Sequence, residues 1–116
     1  MKLICFCLLI TLYGCNSNCE KLPSSFSSYS EAISKIHSTN FKLDESVNTS
    51  KSSWVKGAAY YSCDGSAGYF ILKTDNKDYI HKDLPVSVWE NFKNAKSYGS
   101  YYDNNIKHNY QFVLDK

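Results

Sequence analysis

The chain has 116 residues, and its 13 basic residues against 11 acidic ones leave a formal net charge of +2. Every basic residue is a lysine. That excludes the basic, arginine-bearing stripe by which nucleic-acid-binding domains announce themselves, because guanidinium groups supply most bidentate phosphate and guanine contacts. Once an apolar leader is set aside, about a hundred residues remain, enough for one domain with one modest core. Ten tyrosines suit a core that merges into a contact surface, since each has an apolar body and a polar tip.

Residues 1–14 carry one positive charge followed by a mostly apolar run. The run is shorter than the ~20 residues that span a bilayer and fits the apolar region of a secretory signal. It ends Leu12-Tyr13-Gly14-Cys15, which resembles the bacterial lipobox, with Leu at −3, a small residue at −1 and Cys at +1. The resemblance implies a signal peptide over 1–14 and a lipid anchor on Cys15, with acyl chains of the palmitate type on sulfur and amine. Asn16 stands at +2 instead of Asp, which implies the outer membrane. Such acylation exceeds the two signals needed for stable anchoring.

Of five cysteines, Cys5 and Cys7 leave with the signal and Cys15 takes lipid. Cys19 and Cys63 remain, an even number in an exported chain, and are expected to form a disulfide. A metal site is the alternative for the pair, and it lacks histidines at ligand spacing. Residues 15–28 read as a polar tether. Ser28-Tyr-Ser-Glu31 matches a capping box, and Tyr29, Ala32, Ile33 and Ile36 follow helical spacing, predicting a short amphipathic helix over 29–38. Phe41 and Leu43 alternate with polar neighbours and predict a short edge strand.

Residues 53–84 hold three aromatic and β-branched runs separated by Asp64-Gly65-Ser66-Ala67-Gly68 and Asp75-Asn76-Lys77-Asp78, the pattern of an antiparallel meander. Alternation places Trp54, Ala58 and Tyr60 on one face and Val55, Ala59, Tyr61 and Cys63 on the other. Both faces carry apolar groups, so each is expected to be covered, one by a helix and the other by the chain ends or a partner. Pro85 suits the first position of a helix running to Lys96, with Val88, Phe92 and Ala95 as an apolar stripe beside Trp89. Gly99 is expected to break that helix at positive φ. A second short helix or turn follows, and Tyr110, Phe112 and Leu114 alternate as a final strand or packed tail. The fold class is therefore α+β: a small antiparallel meander of three to four strands covered by a C-terminal helix, plus a short N-terminal amphipathic helix, with 29–116 a single domain.

The order Ser52-Ser53, Tyr60, Lys73, Tyr79, Leu84-Pro85, Val88-Trp89, Phe92, Ala95, Gly99-Ser-Tyr-Tyr102, Asn105-Ile-Lys107, Tyr110 resembles the KTSC domain over residues 52–110. That family consists of modules of about 60 residues found alone in bacterial and phage proteins and at the end of some lysyl-tRNA synthetases. The resemblance implies a small α+β fold and no enzymatic activity; RNA binding has been suggested for the family. Its central Tyr-x-Tyr is Tyr79-Ile80-His81 here, with histidine in place of the second aromatic. Stacking of bases on tyrosines is accordingly set against the His81 replacement and the arginine-free surface.

Signals for catalysis are turn chemistry. His81 and Asp83 sit at i, i+2 on a strand and would share a face as a dyad; a solvated polar face flanked by Lys82 explains them as well. Asp64-Gly65-Ser66-Ala67-Gly68 lacks the lysine and helix of a phosphate loop, and Asp75-Asn76-Lys77-Asp78 lacks the spaced ligands of a calcium loop. No cofactor, no metal and no enzymatic activity are expected. The expected role is a lipid-anchored envelope module acting through protein–protein contact, of which a phage or prophage lipoprotein that blocks a surface receptor is one form. An RNA-binding module is the alternative. The candidate surface is Tyr79, His81, Tyr98, Tyr101, Tyr102 and Tyr110, rimmed by Asn105 and Lys107, and the rival reading of these tyrosines is that they complete a thin core.

Overall fold

A computed structural model describes residues 19, 22, 23, 25–112 and 114. The expected signal peptide and lipid-bearing Cys15 lie outside the described residues. The elements run α1 (Tyr29–His37), β1 (Leu43–Val47), β2 (Gly57–Ser62), β3 (Ala67–Lys73), β4 (Asp78–Pro85), α2 (Val86–Lys93) and α3 (Tyr98–Tyr101), the last continued by a π-helical turn over Tyr102–Ile106. The four strands form one antiparallel sheet in the order β1-β2-β3-β4, so the α+β meander holds. No helix among the described residues is long and apolar enough to cross a membrane.

Strand alternation sorts the apolar residues onto two faces. Ala58 and Tyr60 of β2, Phe70 and Leu72 of β3, and Leu84 of β4 face α2 and α3, packing with Trp89, Phe92, Tyr98, Tyr102 and Ile106. Ile71 and Ile80 face the other way, under Ala32 and Ile36 of α1 and under Phe26, with Phe112 against them. The second face is thus covered by α1 and by the segments that carry Phe26 and Phe112. Phe26 is 1% exposed and stacks on Phe112 at 5.8 Å between ring centroids. The fold therefore begins inside the stretch read as tether, which corrects the boundary at 29.

Other departures have local causes. β2 starts at Gly57, so Val55 escapes strand alternation and is buried on the helix side with Tyr60. Pro85 is the N-cap of α2 and not its first residue, and the helix ends at Lys93. Gly99 lies inside α3; its use is space, because a Cβ there would stand 2.3 Å from Trp54 Nε1. Gly68 is needed for the same reason, its Cβ position lying 2.2 Å from the Tyr61 carbonyl oxygen. At Ser28 the capping geometry forms as read, with Ser28 Oγ accepting from Glu31 N at 3.0 Å. The Glu31 carboxylate reaches back to Ser27 N at 2.7 Å, one residue earlier than the box predicts.

β4 carries one residue more than β3 between two register points: Phe70 faces His81 while Gly68 faces Leu84. Asp83 takes up the extra length at φ 59°, a conformation Asp tolerates better than most residues. The bulge returns Leu84 to the face that His81 occupies. Its carbonyl there accepts the Tyr60 hydroxyl at 2.7 Å, and burial pushes the Tyr60 pKa up to about 12.

Candidate functional site

The β3–β4 turn is built by Thr74. Its amide donates to the Lys77 carbonyl at 3.1 Å, its hydroxyl donates to the same oxygen at 2.9 Å, and that hydroxyl accepts from the amides of Asn76 and Lys77 at 3.2 Å each. This arrangement holds Asp75 and Asn76 out at one end of the sheet. Beside the turn, the Ser52 hydroxyl accepts from Val55 N at 3.0 Å while the Thr49 hydroxyl donates to the Val55 carbonyl at 2.9 Å. Those bonds fix the backbone that presents Trp54, the exposed large hydrophobic residue among those described, at 38%. Its indole lies against Gly99 and meets the Tyr102 ring edge-on at 6.1 Å.

Trp54, Thr74, Asp75, Asn76, Tyr79, Tyr102, Asp103 and Lys107, with Ser53, enclose a cleft of about 280 Å³. A second cleft of about 240 Å³ lies across the ridge of Tyr79, Tyr102 and Lys107, and it reaches His108, Gln111 and Phe112. The π-helical turn supplies the far wall. Lys107 N donates to the Tyr102 carbonyl at 2.9 Å, a wide turn that buries Tyr102 and Ile106 and leaves Asp103 and Lys107 exposed. Such π turns recur at functional positions.

Tyr102 joins cleft to core. Its hydroxyl lies 2.7 Å from His81 Nε2, and its ring stacks on Phe70 at 6.2 Å. His81 Nδ1 lies 2.8 Å from the Tyr110 carbonyl, which can only accept, so the proton belongs on Nδ1 and Nε2 accepts from the Tyr102 hydroxyl. Burial lowers the His81 pKa, opposed by the bond to Tyr110, and raises that of Tyr102. A bridge from His81 to Gln111 completes the latch on the tail.

His81 is 6% exposed, Tyr98 6% and Tyr102 3%. Tyr98 and His81 are core residues, which corrects their assignment and overturns both readings of His81 as solvated and as half of a dyad with Asp83; Tyr102 is buried and also lines the cleft. The bulge at Asp83 separates that pair, and both ring nitrogens of His81 are engaged within the fold. Tyr79, Tyr101 and Tyr110 are half-buried, while Asn105 and Lys107 are exposed. Tyr79, Tyr102 and Lys107 come together at the cleft; Tyr98 packs on Phe92 at 5.1 Å, and Asn105 caps Tyr101 through a 3.1 Å bond to its carbonyl. Sequence reasoning missed Trp54 as a cleft wall, having placed it in a strand, and, although it placed a turn at Asp75-Asn76-Lys77-Asp78, missed Thr74 as the residue that builds it. The serine-rich run before Trp54 and the Thr-Asp-Asn-Lys sequence were the signals available.

Cys19 and Cys63 form a disulfide, with their Cα atoms 5.7 Å apart. Among the described residues no group of three or more His, Cys, Asp or Glu stands together as a metal site would require. No curated protein and no solved structure matches the chain. The family comparison covers the β3–β4 turn, β4, α2, α3 and the π-helical turn, and it includes every residue lining the first cleft except Ser53 and Trp54. Residues 74–110, from that turn to the tail residue held by His81, match the family model of the KTSC domain.

Proposed function

We propose that the protein is a non-enzymatic binding module, anchored by lipid at Cys15 in the bacterial envelope and acting through protein–protein contact at the Trp54–Tyr79 cleft. The observation that carries this reading is the cleft itself: aromatic walls, one of them an exposed tryptophan, with Asp75, Asp103 and Lys107 around them. Exposed aromatic residues with a polar rim are what contact sites are made of. The cleft also falls largely within the KTSC match. The Cys19–Cys63 disulfide supports an oxidising compartment, where such bonds persist, and the Leu12–Cys15 sequence supports the anchor. Catalysis is not part of this reading: His81 is 6% exposed and links the Tyr102 hydroxyl to the Tyr110 carbonyl inside the fold.

A photo-crosslinking residue at Ser53, on the cleft, and another at Lys35, on the exposed side of α1, test the contact in living cells. The expected result is a discrete protein adduct from position 53 and none from position 35. Equal adducts from both, or none from either, overturn the contact reading. Tight binding of tRNA at low salt in a shift assay would instead favour the RNA-binding alternative.

A further inference from the structure

The disulfide determines more than stability, because of where it sits on the sheet. Cys63 directly follows β2, at the end of the sheet where Ser62 pairs with Gly68. The cleft lies at the opposite end: Gly57 pairs with Lys73, and the β3–β4 turn that carries Asp75 and Asn76 follows at once. Six residues of β2 separate the two ends by about 20 Å, at roughly 3.3 Å per residue. From Cys15 to Cys19 the chain has four steps, a reach of about 14 Å at full extension. Without the bridge, the leash would run on toward Phe26, the buried residue that seats this segment on the sheet, a reach of about 38 Å.

We infer that the Cys19–Cys63 bond sets the orientation of the anchored domain: it draws the β2–β3 turn to the bilayer and presents the Trp54–Tyr79 cleft outward, to a polypeptide segment of another protein that stands clear of the lipid. The inference rests on the anchored reading of Cys15. It decides what Trp54 is for. An exposed tryptophan near a lysine also suits the membrane interface, where aromatic rings sit at headgroup level; a 14 Å leash fastened at the far end of the sheet holds Trp54 away from that layer. Two carboxylates, Asp75 and Asp103, face one ammonium, Lys107, around the cleft, so the segment that fits it carries a basic side chain.

The test uses the mature acylated chain in phosphatidylethanolamine–phosphatidylglycerol vesicles, with a photo-crosslinking residue at either Ser66 in the β2–β3 turn or Asn76 in the β3–β4 turn. With the disulfide intact, Ser66 gives lipid adducts at least several-fold more often than Asn76. In the paired Cys19→Ser, Cys63→Ser variant, checked for native circular dichroism, that ratio falls toward one. Equal lipid adducts from the two positions in the bridged chain overturn the orientation, as does a ratio that ignores loss of the bridge. Intact mass on the same sample separates the failures: an acylated chain with equal adducts loses the orientation alone, whereas an unmodified Cys15 loses the anchored reading and the orientation together.

Discussion

At the scale of single residues, His81 and Gly99 show how little of the cleft's support lies in the cleft itself. His81 holds the Tyr102 hydroxyl and the Tyr110 carbonyl at once. Its pKa in the fold lies below the unfolded value near 6.5, so the unfolded chain binds more protons and stability rises with pH through that window. The contribution is therefore complete above about pH 6.5 and is lost as pH falls from there toward the folded value. Urea titrations between pH 7.5 and 5 should show stability decreasing on acidification, with a shallower slope in His81→Gln. Identical slopes in the two proteins would contradict the assignment. At Gly99, a methyl group would meet the Trp54 indole and not backbone. Gly99→Ala should therefore cost about 1–2 kcal/mol from overpacking while the fold survives. Trp54 emission, isolated by comparison with Trp54→Phe, should shift to the red as the indole leaves its seat; an unchanged spectrum would show that the seat is not there.

At the scale of elements, the covalent bond between Cys19 and Cys63 closes a loop with a sequence separation of 44. Chain entropy gives it about 4 kcal/mol of stabilisation. Cys19→Ser with Cys63→Ser should lower the Tm by well over 10 °C, since 1 kcal/mol corresponds to roughly 4–8 °C in a domain of this size. A shift of only a few degrees would mean that the Phe26 contacts hold the N-terminal segment unaided. The elements most readable in the sequence were those whose signal is local. Tyr60, Phe70 and Leu72 alternate with residues of the other face, and Ser28 caps α1 through its own hydroxyl. What escaped depends on distant partners. Nothing near Asp83 announces a bulge, yet the bulge decides which side Leu84 takes and parts His81 from Asp83. Gly99 looks like a helix breaker until Trp54 is seen against it. In the same way Trp89 reads as part of an apolar stripe, while its indole N–H in fact reaches across to Glu45 of β1 at 2.8 Å. Lys93 joins that carboxylate at 2.8 Å and, with Trp89, holds its pKa down. Of the candidate site, Tyr79, Tyr102 and Lys107 were legible through the family resemblance, and Trp54 was not.

At the scale of the whole molecule, the meander is packed on both faces, by α2 and α3 on one side and by α1 with the Phe26 and Phe112 segments on the other. Among the described residues both sheet faces are packed, and the proposed contact lies at the end of the sheet where the β3–β4 turn, Trp54 and the π-helical turn converge. The proposed anchor at Cys15 would put a short leash at the opposite end, and anchoring turns a weak contact into an effective one by raising local concentration. The anchored, bridged state is tested most directly by the intact mass of the mature protein recovered from cell membranes, before and after reduction. The account predicts a chain that begins at an acylated Cys15 and gains the mass of its thiol hydrogens only on reduction. A soluble chain that keeps Met1 and has both Cys19 and Cys63 open to alkylation would contradict it.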